Sequence, residues 1–413
     1  MTTQRVVNVL FLAGALCATT VFSADWPQWR GPNRDGISPE TGLLETWPEG
    51  GPQQLWTASG LGDGYSQVAV ADGTIYVTGA DNRTKTGFVT ALTLAGKKKW
   101  KQEYGPSFDR SYRGARSCPT VYDGKLYIMS GAGQLCCLRA SDGKVLGRID
   151  TFEKFGGRNI TWGIAESPLI VDGKVVCTPG GPDAALIAVD TGTGKTTWKT
   201  EGLGDKSAYC SAMAYKHGGQ TQICTATSRH VIGVNAANGK LLWKIPFKNR
   251  FSAHPNTPLY QNGHVYVTAG YDLGGVNIDL SRNGRSASKA WDNKTLDTHH
   301  GGVVLIDGYI YGASWRGNGN GNWVCLDFKT GDVKYDHHWH SKGSIIAADG
   351  MLYVYNEKGH VGLVRATPKA FDLVSSFNVR HGGGPHWAHP AIANGVLYIR
   401  HGDALAAYDI AAD

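Results

Sequence analysis

Beyond its first two dozen residues, the 413-residue sequence has no stretch near the ~18 uninterrupted apolar residues that a membrane helix requires, so no transmembrane segment is expected in the body of the chain. It lacks helical periodicity, which excludes a bundle. It lacks long runs of one charge: 41 basic side chains stand against 34 acidic ones, spread along the chain, and that mild excess gives no footprint for nucleic acid. Its body lacks an even cysteine set. Apart from Cys17, cysteines stand at 118, 136, 137, 177, 210, 224 and 325, mostly within apolar strand patterns, and read as buried thiols. A phosphate loop is also missing. The string Gly192-Thr193-Gly194-Lys195-Thr196 imitates one, but the required glycine five residues before the Gly-Lys pair is replaced by Val189, and the following "TTWKT" is strand-like.

What is present begins with "MTTQRVVNVLFLAGALCATTVFSADW": one basic residue, an apolar run, then small residues. That layout predicts a signal peptide over 1–24 and an exported, periplasmic body over 25–413 as a single domain. Lipid anchoring through Cys17 is not expected, because Leu16 precedes it where a small residue is needed.

The body is repetitive. An apolar alternating run, an Asp-Gly or Asn-Gly turn and a second run recur with turn residues at Asp72, Asp123, Asp172, Asn262, Asp307, Asp349 and Asn394, mostly 42 to 51 apart. The wider gap from 172 to 262 holds "SAMAYKHGGQTQICTATS", where Lys216 to Gly219 predicts a longer turn and an eighth unit. A second signature follows each hairpin, a turn glycine four residues before a tryptophan, as in Gly96 and Trp100, Gly194 and Trp198, Gly239 and Trp243. Lys195 is thus a solvated turn residue. Four short strands per repeat predict an all-β, eight-bladed β-propeller, because one blade cannot bury both its faces alone. The last repeat stops after its third strand, and "GPQQLWTAS" near the start supplies a fourth, so Gln53 to Ser59 is expected to close the ring.

The pattern A-x-D-x-x-T-G-x-x-x-W resembles the tryptophan-docking repeat of pyrroloquinoline quinone (PQQ) propellers. "DWPQWRGPNRDGIS", "HHGGVVLIDGYIYG" and "LYIRHGDALAAYDI" are similar to exported PQQ-like propellers often grouped with the outer-membrane assembly factor BamB. The resemblance implies the fold, with each blade's tryptophan packed on the next blade. The quinone dehydrogenases of this kind use a vicinal cysteine pair, a tryptophan floor, a calcium ion held by acidic and amide oxygens, and an aspartate base. Cys136-Cys137 lies inside a third strand, where neighbours point to opposite faces, and no calcium or base motif transfers. PQQ with calcium is therefore possible but not favoured.

Residues five to eight before each turn lead into the innermost strands, and ring symmetry places them at one end of the central funnel. They are Tyr65 and Ser66, Arg116, Glu166, Ser211, Asn256, His299 and His300, Lys342, and His386 with Trp387 and His389. From these, Arg116, Glu166, Asn256, His299, His300, Lys342, His386, Trp387 and His389 are taken as candidate ligand-binding residues at the funnel rim. No catalytic residue and no metal ligand is assigned. His337, His338 and His340 alternate in direction and read as rim histidines, and the insertion 271–291 and loop 316–323 as variations of one face. The expected function is a binding or scaffold propeller for a protein or a small ligand; the alternative is a PQQ-dependent alcohol dehydrogenase.

Overall fold

The computed structural model describes residues 24–412, so the expected signal peptide lies outside the described residues except for Ala24. Eight antiparallel four-stranded sheets make up the fold. The first seven blades run in chain order over 69–106, 120–150, 169–199, 213–246, 259–293, 303–337 and 343–378. The eighth takes three strands from 391–409 and its outermost strand from Gln54–Ala58, which pairs with Ala404–Asp409. The ring closes as expected, and no open sheet edge is left between first and last blades.

Local chemistry explains the hairpins. Two-residue turns of the tight, mirror-image kind need positive φ at both central residues. Asp72, Asp123, Asp172, Asn262, Asp307, Asp349 and Asn394 adopt φ between 47° and 58°, each followed by a glycine at positive φ. Blade 4 departs from the longer turn expected there. His217 pairs directly with Gln220, and Gly218 and Gly219 (φ 59° and 77°) form the same two-residue turn, because two glycines meet the demand without aspartate.

Each sheet buries both faces against its neighbours. Leu126, Ile128 and Leu138 of blade 2 pack with Tyr76, Val89 and Tyr104 of blade 1, and equivalent clusters fill the later junctions. Outer tryptophans bind adjacent blades: the indole N–H of Trp56 donates to Leu94 O (2.8 Å) and that of Trp198 to Ala236 O (2.9 Å). Cys136 and Cys137 fall into the junctions on opposite sides of blade 2, as alternation requires.

Residues 24–47 were not anticipated as a structural element. They cross the central channel as a plug. Trp26 exchanges backbone hydrogen bonds with Val70 of blade 1 (2.8 Å each), Val121 N of blade 2 donates to Pro27 O (2.9 Å), and Ser38 N donates to Ala347 O of blade 7 (2.8 Å). Two guanidiniums, Arg30 and Arg34, are 1% and 2% exposed. Arg34 donates to the carbonyls of Ser167, Pro168 and Ala212, in blades 3 and 4 and their approaches. Arg30 donates to those of Asp35, Val303 and Ile345, reaching blades 6 and 7. The approach is so close that a Cβ on Gly302 (φ +71°) would lie 2.1 Å from Arg30 Nη1.

Candidate functional site

The plug divides the channel, and on the side of Trp29 lies a cavity of about 460 Å³. Its floor is Trp29, whose indole N–H donates to Thr257 Oγ1 (2.8 Å) and whose ring lies 4.6 Å from that of His389. The wall is a belt of rings in successive contact. From Tyr65 it passes to Trp387 (5.0 Å between centroids), His300 (5.4 Å), His299 (4.6 Å), Tyr271 (4.8 Å) and Phe251 (4.6 Å). It continues to Trp162 (5.8 Å) and Tyr209 (5.9 Å), and Arg116 over the face of Tyr65 at 5.8 Å completes it. Tyr112 and Trp315 flank the belt.

Backbone strain concentrates here. Besides the seven Asp and Asn turn residues, nine non-glycine residues among those described adopt positive φ; of these Tyr112 (52°), Tyr209 (72°) and Tyr271 (66°) line the cavity, Ser252 (53°) stands beside it, and Arg30 and Arg34 (59° each) belong to the plug. For a bulky side chain this conformation costs about 1–3 kcal/mol, and strain of that size persists where surrounding structure imposes it.

The electrostatics are one-sided. Arg116 and Arg250 line the cavity, and no aspartate or glutamate does. Arg250 rides over Phe251 at 5.0 Å. Burial pulls the Arg116 pKa down from the usual guanidinium value, against the pull of the nearby phenols of Tyr65 and Tyr209. His389 is neutral: burial, then the Arg30 guanidinium, push it down to about 3. Its Nδ1 faces Arg30 (3.3 Å) and so accepts, while Nε2 donates to His300 O (2.8 Å). Burial lowers His299 and His300 as well. His299 Nε2 meets the Tyr271 hydroxyl at 2.8 Å, but among the described residues its Nδ1 and Trp315 Nε1 are buried without hydrogen-bond partners. His300 Nε2 is 3.3 Å from Glu357 Oε1 yet poorly aligned for a hydrogen bond. Donors and acceptors left open in a cavity wall are available to a ligand.

Of the nine rim candidates, the cavity brings together Arg116, His299, His300, Trp387 and His389, and also Tyr65 and Ser211. Four do not line it. Glu166 is fully buried, accepting from Thr178 N (2.8 Å) and Thr178 Oγ1 (3.0 Å). Asn256 donates to Thr268 O (2.9 Å) and Thr298 O (2.7 Å) and accepts from Gly302 N (3.1 Å). Lys342 is ion-paired with buried Glu357. His386 sits outside, bonded to the Tyr355 hydroxyl (2.5 Å) and stacked on His401 at 3.7 Å. For Glu166 and Asn256 the physical reason is a difference of one in offset: they stand six residues before their turn residues, whereas Tyr65, Arg116, Ala165, His300 and Trp387 stand seven before theirs and face the cavity, and successive side chains of an extended approach point to opposite sides. Tyr271 and Asn318, from stretches read as mere variation, contribute to the wall, and Trp29, Tyr112, Trp162, Tyr209, Arg250, Phe251 and Trp315 were missed. Their shared signal is aromatic enrichment in the connections between blades.

The calcium and quinone set of the dehydrogenases does not fit. A hard cation needs several oxygen ligands, and the lining offers no carboxylate; Asn318 is its one amide side chain. Its lining includes no cysteine, and Cys136 and Cys137 lie in blade 2. Among the described residues no group of three or more His, Cys, Asp or Glu side chains is placed to hold a metal ion, and no helix is long and apolar enough to cross a membrane. His338 Nδ1 lies 3.3 Å from Asn322 Oδ1, while His340 stacks on His360 at 3.7 Å.

Comparison with known proteins places these features in context. BamB from Moraxella catarrhalis superposes with a TM-score of 0.64 at 12% identity, over 87% of this chain and 100% of that one. The quinohemoprotein alcohol dehydrogenase from Comamonas testosteroni gives 0.69 at 13% identity, over 94% and 80%. A europium-containing methanol dehydrogenase gives 0.62 at 12%, over 92% and 90%. At such identities the likeness is one of fold alone. No curated protein matches the sequence. Residues 85–337, more than half of the chain, match the family model described as outer membrane protein assembly factor BamB, and the chain belongs to that family of PQQ-like propellers.

Proposed function

We propose that this propeller is a binding module whose cavity takes a small organic molecule with flat rings and a negative charge. The observation that carries this reading is the strained aromatic belt, lined by two guanidiniums and no carboxylate. Aromatic walls favour flat apolar faces, and guanidiniums in a wall that holds no acid favour an anion, since the nearby Glu357 carboxylate is paired with Lys342. The volume falls within the usual range for small-molecule sites. The dehydrogenase alternative loses support because the cavity lacks the oxygen donors and the cysteine pair on which it depends. A scaffold role for a protein partner has no comparable observation behind it.

Isothermal titration with 2-naphthoate, as a ring-bearing anion, tests the proposal. One site per chain is expected, with affinity weakened about two- to tenfold in Trp162→Ala, since one lost stacking partner is worth roughly 0.5–1.5 kcal/mol. Absence of binding, or equal affinity in a folded Trp162→Ala variant, contradicts it.

A further inference from the structure

The start of the plug carries an unexplained charge. Glu40 is 0% exposed, and no lysine, arginine or histidine forms an ion pair with it among the described residues. Among the described residues its carboxylate accepts from backbone N–H groups: Asn394 (2.5 Å) and Ala24 (2.9 Å) at Oε1, and Gly395 (2.8 Å) at Oε2. A buried carboxylate needs hydrogen bonds or a counter-charge, and here backbone donors supply the first while a cation within reach would supply the second.

The sequence supplies a counter-charge at that nitrogen. Export peptidases cut after a small residue with another small or compact one two positions earlier. A cut after Ala24 would need bulky Phe22 at the earlier position, whereas a cut after Ser23 needs only Val21. We infer that the chain is cleaved between Ser23 and Ala24, and that the α-ammonium group so formed becomes the ionic partner of Glu40. The step is a hydrolysis by an endopeptidase: one water adds its oxygen to the Ser23 carbonyl carbon, the Ser23–Ala24 bond breaks, and the Ala24 nitrogen takes up protons to become an ammonium. Asp25 Oδ2 accepts from Asp72 N in blade 1 (3.2 Å), while Glu40 holds the turn of blade 8. The new terminus would therefore fasten the plug at the junction of the first and last blades, and maturation would complete the ring.

Intact mass of the exported protein tests the position of the cut, with a chain starting at Ala24 expected; a start at Asp25 or elsewhere overturns the inference. Melting temperatures of chains starting at Ala24 and at Ser23, each with Glu40 or Glu40→Gln, test the pair. The extra residue displaces the amine by about 3.5 Å, so the Ser23 chain should melt lower with Glu40 and show no such deficit with Glu40→Gln. An equal deficit in both backgrounds overturns the ion pair. If Glu40→Gln does not fold, acylation of the α-amine decides instead: it should be several-fold slower in the folded Ala24 chain than in the same chain in urea, and an equal rate contradicts the pair.

Discussion

At the residue scale, two side chains separate structural from binding roles. Burial pushes the Glu166 carboxyl up to about 7, against its bonds to Thr178 and the attraction of Arg34. A folded-state pKa raised above the unfolded one means that its stabilising contribution is complete below about pH 4.5 and is lost as pH rises through 7. Glu166→Gln should then stabilise the protein at pH 8 by on the order of 1–3 kcal/mol and leave it unchanged at pH 5. Denaturant melts at both pH values check this, and destabilisation at pH 8 would show that the charge is needed. Tyr112 is the opposite case: 48% exposed, at φ 52°, and in contact with Trp387. Replacing it with glycine relieves strain while removing part of the wall. Tyr112→Gly is expected to keep stability within about 1 kcal/mol of the parent and to weaken 2-naphthoate binding. Unchanged binding would remove Tyr112 from the site.

At the scale of elements, the plug matters as much as any blade. Arg30 donates to the buried carbonyls of Val303 and Ile345 and to the part-buried carbonyl of Asp35. Arg30→Met should destabilise by about 3 kcal/mol or more, because each buried carbonyl left unpaired costs about 1–3 kcal/mol. A loss below about 1 kcal/mol, measured by urea unfolding, would mean that water replaces the guanidinium and that the plug is dispensable. These elements also divide what could be read in advance from what could not. The hairpins and the closing strand were legible because turn chemistry is local: an Asp-Gly or Asn-Gly pair demands its conformation wherever it occurs. The plug was illegible because Arg30 and Arg34 bind backbone carbonyls, which leave no mark in the sequence. The cavity was half legible. His299, His300 and His389 stand at fixed offsets before turns, but Trp162, Tyr209 and Phe251 lie in connections of unequal length, where no offset finds them.

For the whole molecule, buried histidines make acid the expected weakness. His254 and His389 are held down at about 4 and about 3, chiefly by burial. Histidines depressed in the folded state bind protons more readily when unfolded, so stability falls as pH drops from about 6.5 through those values. Glu166 acts in the opposite sense over part of that range, so the fall between pH 6.5 and 5 should be steeper in Glu166→Gln than in the parent. The same denaturant melts, extended to pH 5 and 6.5, report both slopes.

If the aromatic belt and its two guanidiniums select flat anions, ligands of one shape and different charge must bind unequally. Calorimetric affinities of 2-naphthoate, neutral 2-naphthylmethanol and cationic 2-naphthylmethylammonium share one ring and differ in charge. The parent protein should bind them in that order, with the anion at least about tenfold tighter than the alcohol, a difference of about 1.4 kcal/mol. The Arg116→Gln, Arg250→Gln double variant should bind the anion and the alcohol alike. If the parent binds alcohol and anion equally, the cavity is an aromatic site without anion preference; if the preference survives removal of both guanidiniums, the charge assignment is wrong.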